Sequence, residues 1–226
     1  MVRAERTGAI LFDWDDTLCG AVPHRYETIE GVLSSYGERV DRLALHRAWV
    51  IADDPVVDRA ASGFWGRLER ELRLESRPEV VEAVRVEFTR REDTLRFELF
   101  ADAVTLLDRL SEAGWRTGVV SNNVRAAERV IELGLAERFD VVVTPRDAAG
   151  IGKPDPAIFR VALERLGTPA ERTFYIGDTF ETDVLGARAA GLRPLLVDRL
   201  GVAGAQADDA CAVLASLADV LHWLPG

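Results

Sequence analysis

The sequence predicts an α/β fold, a Rossmann-like doubly wound parallel sheet core with an inserted all-helical domain. Two observations lead to this prediction. Short apolar runs alternate with helical patterns over most of the chain, and one long stretch near the N-terminus contains helical patterns alone. Alternating strands and helices form parallel βα units, so the first observation predicts the sheet. The second predicts a separate helical module.

Five short runs rich in valine, isoleucine or aromatic residues are predicted to be the strands of this sheet. Each run is bounded by turn residues. The runs are Gly8–Phe12, Thr117–Val120, Asp140–Val143, Thr173–Ile176 and Pro194–Val197. The carboxyl ends of parallel strands share one edge of a sheet, and ligands bind at that edge in open α/β folds. Functional residues are therefore expected directly after these runs.

Helical faces lie between the predicted strands, and three of them end at a glycine suited to a helix C-cap. These glycines are Gly114, Gly134 and Gly167. A further helical face is predicted in the C-terminal tail, at Leu214, Leu217 and Leu221.

The stretch from about Gly20 to Leu99 breaks the alternation, because several amphipathic helical patterns follow one another without a convincing strand. Some eighty residues of helix after the first strand indicate a separate module. We therefore predict an α/β core formed by residues 1–19 and 100–226, with a helical domain at residues 20–99.

The composition, 48% hydrophobic and 29% charged residues, is that of an ordinary globular protein and argues against disorder. A formal net charge of −10 argues against nucleic acid or an anionic membrane as a partner. The two cysteines are far apart, and no apolar stretch has the length of a membrane span or a signal peptide. We therefore expect a cytoplasmic protein, either a monomer or a homodimer.

An acidic cluster, Asp13–Thr17, follows the first predicted strand. Alternate residues of an extended chain point the same way, so Asp13 and Asp15 could converge on one side. Two close carboxylates repel each other unless a cation or a shared proton relieves them. Hard oxygen ligands of this kind suit Mg²⁺. The alternative is an acidic loop that only caps the next helix.

Three later strand ends carry further polar groups. Ser121 and Asn122 open a helix, where a hydroxyl and backbone N–H groups can hold a phosphate, although both residues are also ordinary N-caps. Lys153 is the single lysine among 28 basic residues, which singles it out as a compact point charge. Asp178 and Asp183 could complete a metal site with the first acids.

Together these stretches resemble the four ordered motifs of the haloacid dehalogenase (HAD) superfamily, in its phosphatase-type branch. The motifs are DxDxT at Asp13–Thr17, a serine at Ser121, a lysine at Lys153 and GDxxxxD at Gly177–Asp183. The resemblance covers nearly the whole chain outside the insert. It departs at Asp16, where many relatives have glycine. In that family a helical cap inserted after the first motif closes over the active site, and residues 20–99 stand in that place.

The resemblance implies a Mg²⁺-dependent phosphatase that hydrolyses a small phosphorylated metabolite through an aspartyl phosphate. Asp13 would be the nucleophile and Asp15 the general acid and base. The phosphate-binding residues would be Thr17, Ser121, Asn122 and Lys153. The residues at the metal would be Asp13, Asp15 through its backbone carbonyl, Asp178 and, in support, Asp183.

Other activities stay open at this point. A phosphomutase would pass the acyl phosphate to a second hydroxyl, and the sequence does not separate that outcome from hydrolysis. A haloacid dehalogenase is disfavoured because such enzymes typically lack an acid at the position of Asp15. A phosphonatase is disfavoured because the predicted cap has no lysine. An inactive binding protein is disfavoured because all the matched positions are intact.

Overall fold

The computed structural model describes residues 8–53, 63–92, 96–201 and 211–224. The chain divides into two compact units, one made of Met1–Gly20 with Leu99–Gly226 and the other of Ala21–Glu98. The first unit contains a parallel sheet with helices, and the second contains four helices. The predicted fold class, an α/β core with a helical insert, is confirmed.

The helices and strands of the described residues follow one another along the chain. In order they are β1 (Ala9–Phe12), β2 (Cys19–Val22), α1 (Arg25–Ser35), α2 (Arg42–Asp53), α3 (Gly63–Glu71), α4 (Pro78–Glu92), β3 (Arg96–Leu99), α5 (Ala101–Glu112), β4 (Arg116–Val120), α6 (Ala126–Glu132), β5 (Val141–Val143), α7 (Pro156–Leu166), β6 (Thr173–Gly177), α8 (Leu185–Ala189), β7 (Arg193–Val197) and β8 (Ala212–Leu214).

Six of these strands form one parallel sheet in the order β5-β4-β1-β6-β7-β8. β1 lies between β4 and β6, and Ile10 pairs with both Thr117 and Phe174. Every residue of β1 is buried. A parallel strand covered on both faces has no polar face to show, which explains why its sequence is continuously apolar.

The five predicted strands are present, with limits that differ by one residue at some ends. The prediction of a helical face in the tail was wrong, because Leu214 lies in β8, which is one of the six strands of the parallel sheet. Leu217 and Leu221 lie in a 3₁₀ helix, Leu217–His222. A strand as short as β8 is specified by its pairing with β7, which a local pattern does not show.

The helices of the α/β unit bury the predicted apolar faces. Ile158, Ala162 and Leu166 of α7 join one hydrophobic cluster with Leu11 and Val120 of the sheet. The three predicted C-cap glycines have positive φ angles, with 76°, 70° and 62° at Gly114, Gly134 and Gly167. Their conformation stops each helix and turns the chain back toward the sheet.

The inserted unit contains α1 to α4, in agreement with its helical patterns. The expectation of no strand between Gly20 and Leu99 was wrong, because β2 and β3 pair in a two-stranded sheet. Both strands have four residues and lie far apart in the sequence, so neither shows a strand pattern by itself. Within the described part of the chain, no helix is both long enough and apolar enough to cross a membrane.

Candidate active site

The end of β1 places Asp13 at the carboxyl edge of the sheet. Its backbone N–H donates to the carbonyl of Ile176 in the neighbouring strand β6, at 2.8 Å. This bond extends the parallel pairing beyond Phe12 and fixes the direction of the Asp13 side chain. The residue is only 7% exposed. A carboxylate with so little water around it needs partners within the protein.

Lys153 is the main partner of Asp13. Its Nζ lies 2.6 Å from Asp13 Oδ1, 2.6 Å from Asp183 Oδ1 and 3.0 Å from the Tyr175 hydroxyl. An ammonium group has three N–H donors, so these three acceptors define its orientation. Burial alone lowers the pKa of Lys153, but the two carboxylates outweigh burial and raise the pKa above its ordinary value. The lysine is therefore a fixed positive charge.

The backbone of Lys153 is held by the side chain of Asn122. Asn122 Oδ1 accepts from the Lys153 N–H at 2.6 Å, and Asn122 Nδ2 donates to the Lys153 carbonyl at 3.0 Å. A Cβ atom at Gly152 would lie 2.6 Å from Asn122 Oδ1, so the glycine allows this close approach. Since both ends of the amide are engaged, a phosphate contact from Asn122 would come from its backbone N–H.

The acids of the fourth motif follow β6. Asp183 is 1% exposed and lies in a π-helical turn, Phe180–Val184, that precedes α8. Its Oδ2 accepts from the Thr179 N–H at 3.0 Å, while its Oδ1 faces Lys153. A Cβ atom at Gly177 would lie only 2.3 Å from the Asp183 Cγ atom. The glycine therefore makes the room in which this carboxylate sits.

Three of the predicted metal ligands come together. One carboxylate oxygen each from Asp13, Asp178 and Asp183 lies within 4.8 Å of the others. Oxygen ligands on opposite sides of Mg²⁺ are roughly 4 Å apart, so small movements would let all three bind one ion. The carboxylate of Asp15 is not part of this group among the described residues, and the resemblance assigns its backbone carbonyl instead.

The charges of the site also favour a cation. The pKa of Asp13 is raised to about 7, because burial and the nearby Asp183 and Asp15 raise it by more than Lys153 lowers it. One lysine does not offset several acids in a buried place, and a hard dication would. The donor set, carboxylate oxygens with one lysine beside them, therefore fits Mg²⁺.

A tight loop after β1 carries Asp15. The Trp14 carbonyl accepts from the backbone N–H groups of Leu18 and Cys19, and the Asp16 N–H donates to the Cys19 carbonyl at 2.7 Å. Asp16 has a φ of 59°, in the left-handed region that favours glycine and that aspartate tolerates. The departure from the family pattern at this position therefore preserves the backbone turn.

The two predicted hydroxyl residues differ in their contacts. Ser121 is buried at the end of β4, and its Oγ accepts from the Asn123 N–H at 3.1 Å. Thr17 is also buried, but its hydroxyl makes no hydrogen bond within the described residues. Ser121 therefore belongs to the polar network of the site. The predicted phosphate contact of Thr17 would come from its buried hydroxyl.

Two residues of the site were missed in the sequence. The Tyr175 hydroxyl accepts from Lys153 and lies 3.0 Å from both Asp183 Oδ1 and the Val120 carbonyl. Burial, followed by the nearby acids, raises its pKa well above the ordinary value, so the hydroxyl keeps its proton. Asn123 Nδ2 donates to Asp15 Oδ2 at 2.9 Å. The signal for Tyr175 in the sequence was a polar group inside a buried strand. The signal for Asn123 was a second asparagine beside Asn122.

Comparison with known proteins identifies the family of this chain. A family model described as haloacid dehalogenase-like hydrolase matches residues 7–191. The chain belongs to this family. A phosphoglycolate phosphatase of Xanthomonas campestris is 32% identical over 189 residues, which cover 81% of this chain and 80% of that protein. A phosphoserine phosphatase of Thermus thermophilus is 32% identical over 171 residues, covering 73% and 68%.

Other relatives share a smaller part. The haloacid dehalogenase-like hydrolase domain-containing protein 3 of Danio rerio is 40% identical over 104 residues, or 46% of this chain and 43% of that protein. The chain thus matches less than half of that relative. A solved HAD phosphatase from Thermococcus onnurineus has the same fold, with a TM-score of 0.61 and 22% identity over 97% of this chain and 98% of that one. The predicted family membership and the predicted enzyme class, a hydrolase with several relatives named phosphatases, are confirmed.

Proposed function

We propose that this chain is a Mg²⁺-dependent phosphatase that hydrolyses a small phosphate monoester through an aspartyl phosphate on Asp13. The observation that carries the proposal is the buried contact of Lys153 with Asp13 and Asp183, next to the oxygen cluster that includes Asp178. This arrangement gives a nucleophile, a fixed positive charge and a cation site at one edge of the sheet.

The side chains of Asp13, Asp178 and Asp183, with the backbone carbonyl of Asp15, would hold the ion. When bound, Mg²⁺ supplies positive charge that screens the carboxylate and the phosphate from each other. Such screening is needed because both reactants are anionic. The positive charge would also lower the raised pKa of Asp13 and keep this carboxyl ionised.

In the first step the carboxylate of Asp13 attacks phosphorus, and the bond between phosphorus and the ester oxygen breaks. The Asp15 carboxyl group gives its proton to the departing oxygen, which leaves as an alcohol. Lys153 holds the nucleophilic carboxylate in place and offsets charge on the phosphoryl oxygens. The remaining phosphate contacts are assigned to Thr17, Ser121 and the Asn122 backbone.

In the second step the carboxylate of Asp15 takes a proton from a water molecule, and the water oxygen attacks phosphorus. The bond between phosphorus and Asp13 breaks, which releases inorganic phosphate and restores the free carboxylate. Asp15 is then protonated again for the next substrate, so the cycle closes without any further reagent.

Relatives that match most of this chain support a small substrate and hydrolysis. Those at 32% identity are named for phosphoglycolate and phosphoserine, both small monoesters, and both are named phosphatases. We therefore favour hydrolysis over the mutase outcome, and we propose that the helical unit Ala21–Glu98 is the cap domain of this family.

The proposal is tested by phosphate release from p-nitrophenyl phosphate, phosphoglycolate, phosphoserine and glyceraldehyde 3-phosphate, with Mg²⁺ or with EDTA. The wild type is compared with Asp13→Asn and with Asp108→Asn, a matched change at an exposed aspartate of α5. We expect release that needs Mg²⁺, falls to background in Asp13→Asn and is unchanged in Asp108→Asn. Release that survives Asp13→Asn or EDTA, or no release from any ester, would contradict the proposal.

A further inference from the structure

The side chain of Asn123 joins Asp15 to the loop after β4. Its Nδ2 donates to Asp15 Oδ2 at 2.9 Å, and its Oδ1 accepts from the Arg125 N–H at 3.0 Å. Its own backbone N–H donates to Ser121 Oγ at 3.1 Å. We infer that Asn123 is a positioning residue that aims the Asp15 proton at the leaving-group oxygen, so that the enzyme acts on esters of alcohols that need a proton to depart. This inference rests on the proposed function.

The orientation of the Asn123 amide follows from its second contact. A backbone N–H can only donate, so the atom that faces Arg125 must be the amide oxygen. The amide nitrogen therefore faces Asp15, and Asn123 acts there as a donor. An N–H donor therefore lies at Oδ2 of the Asp15 carboxyl group.

The contact connects two loops that are adjacent in space and distant in sequence. Asp15 and Asn123 are 108 residues apart, but β1 and β4 pair in parallel, so their carboxyl ends lie side by side. Asp15 is held from one side by the tight turn after Trp14 and from the other by Asn123. Ser121, assigned to phosphate, bonds the same asparagine. A single path of hydrogen bonds thus connects the phosphate end of the site to the residue assigned to the leaving group.

The Asp15 proton matters when the bond between phosphorus and the ester oxygen breaks. As that bond breaks, the electron pair stays on the oxygen, which takes the proton from the Asp15 carboxyl group and leaves as a neutral alcohol. An alkoxide is a poor leaving group in water, whereas p-nitrophenolate departs without a proton. A residue that aims this proton therefore matters for esters of alcohols and phenol, and much less for p-nitrophenyl esters.

Two substrates of similar shape separate these cases. Phenyl phosphate and p-nitrophenyl phosphate differ in the acidity of the leaving group and only slightly in size. The same residues should therefore surround both substrates. The quantity to compare is kcat/KM, because it covers only the steps up to departure of the leaving group. The later hydrolysis of the aspartyl phosphate is common to both substrates and does not enter.

The variants are Asn123→Ala, Asn123→Asp and a control, Val124→Ala, at an exposed neighbour. Asn123→Asp keeps an oxygen for the Arg125 N–H but removes the donor to Asp15. We expect both Asn123 variants to lose about tenfold more kcat/KM with phenyl phosphate than with p-nitrophenyl phosphate, as for a lost hydrogen bond to a charged group. Val124→Ala should behave as the wild type with both substrates.

Equal losses on the two substrates would overturn the inference, since a loop that is only misfolded would harm both. Wild-type kinetics in Asn123→Asp would also overturn it. Only the bond to the Arg125 N–H, which this variant keeps, would then matter. Asp15→Asn in the same assay separates the inference from the proposed function. If Asp15→Asn shows the substrate split and Asn123 variants do not, only the inference fails. If wild-type turnover is absent, or Asp15→Asn shows no split, the proposed mechanism fails with it.

Discussion

Two groups of ion pairs in this protein have similar geometry and very different surroundings. Lys153 lies 2.6 Å from Asp13 and from Asp183, with side chains that are 4%, 9% and 1% exposed. On α4, Arg85 lies 2.5 Å from Glu82, with side chains that are 49% and 54% exposed. Distance therefore does not separate the two groups, but access to water does.

Charge has larger consequences at the buried group than at the exposed pair. An exposed pair exchanges its partner for water at little cost, so its loss changes little. A buried pair has no such replacement, and removal of one partner leaves the other charge stranded. The buried group is also the proposed reaction centre, so chemistry and stability depend on the same contacts there. On α4 neither does.

The largest effect should come from Lys153→Met, which keeps the length of the side chain and removes its charge. Asp13 and Asp183 would be left buried without a cation, so we expect the free energy of unfolding to fall by about 3 kcal/mol in EDTA. Phosphate release should also be lost. Urea unfolding of the wild type and the variant measures the first effect, and a fall below about 1 kcal/mol would show that the buried group is not coupled as described.

The next effect is a pH dependence that Asp13 gives to the metal-free protein. Burial, Asp183 and Asp15 raise its folded pKa from 3.8 to about 7, against the lowering by Lys153. The folded state then binds more protons than the unfolded state between these values, so stability should fall as pH rises from about 4 to about 7. Urea unfolding in EDTA should show this slope in the wild type and a flatter one in Asp13→Asn. Parallel slopes would contradict it.

A smaller effect is expected for Gly177→Ala, because the new Cβ would meet the Asp183 Cγ at 2.3 Å. We expect a loss of about 1–3 kcal/mol from the forced shift. The displaced carboxylate should also weaken activation by Mg²⁺, so that phosphate release needs a higher Mg²⁺ concentration for half-maximal rate. A Mg²⁺ titration and a urea curve measure both changes.

Gly31→Ala provides the matched control for that variant. Gly31 lies within α1, and a Cβ there would have no atom within 4 Å. Since glycine is a poor helix former, this change should stabilise the protein by about 0.5–1 kcal/mol and leave Mg²⁺ activation unchanged. A loss of stability at Gly31, or none at Gly177, would remove the distinction between the two glycines.

The smallest effect is expected for Arg85→Gln on the exposed face of α4. Its partner Glu82 has its pKa lowered by the hydrogen bond from Arg85, but both groups remain in water. We expect the urea midpoint to stay within error of the wild type, at low and at high salt. A clear loss of stability would show that exposure does not explain the contrast between the two groups.

Much of the site could be predicted from the sequence because each motif follows a strand of one parallel sheet. Asp13, Ser121, Lys153 and Asp183 all lie after strands or before helices that local patterns reveal. The role inferred for Asn123 could not be predicted, because it depends on a contact with Asp15, 108 residues earlier. No local pattern records such a pairing.

Tyr175 was missed for a related reason. It lies in β6, where an aromatic residue is ordinary strand sequence, and only the fold brings its hydroxyl to Lys153. The short strands β2, β3 and β8 were missed because each is specified by a partner strand more than by its own residues. Patterns thus predict elements that bury their own apolar faces, and they fail where pairing at a distance decides.

The most direct test of the account is to find the phosphoryl group on Asp13. Protein quenched in acid during turnover, then digested and analysed by mass spectrometry, should carry one phosphoryl group on the peptide that contains Asp13. With p-nitrophenyl phosphate, whose leaving group departs without a proton, Asp15→Asn should increase its amount, because the proposed second step needs that carboxylate. Asp13→Asn should carry none. A phosphoryl group on another residue, or turnover by Asp13→Asn without any such group, would contradict the central claim that Asp13 is the nucleophile.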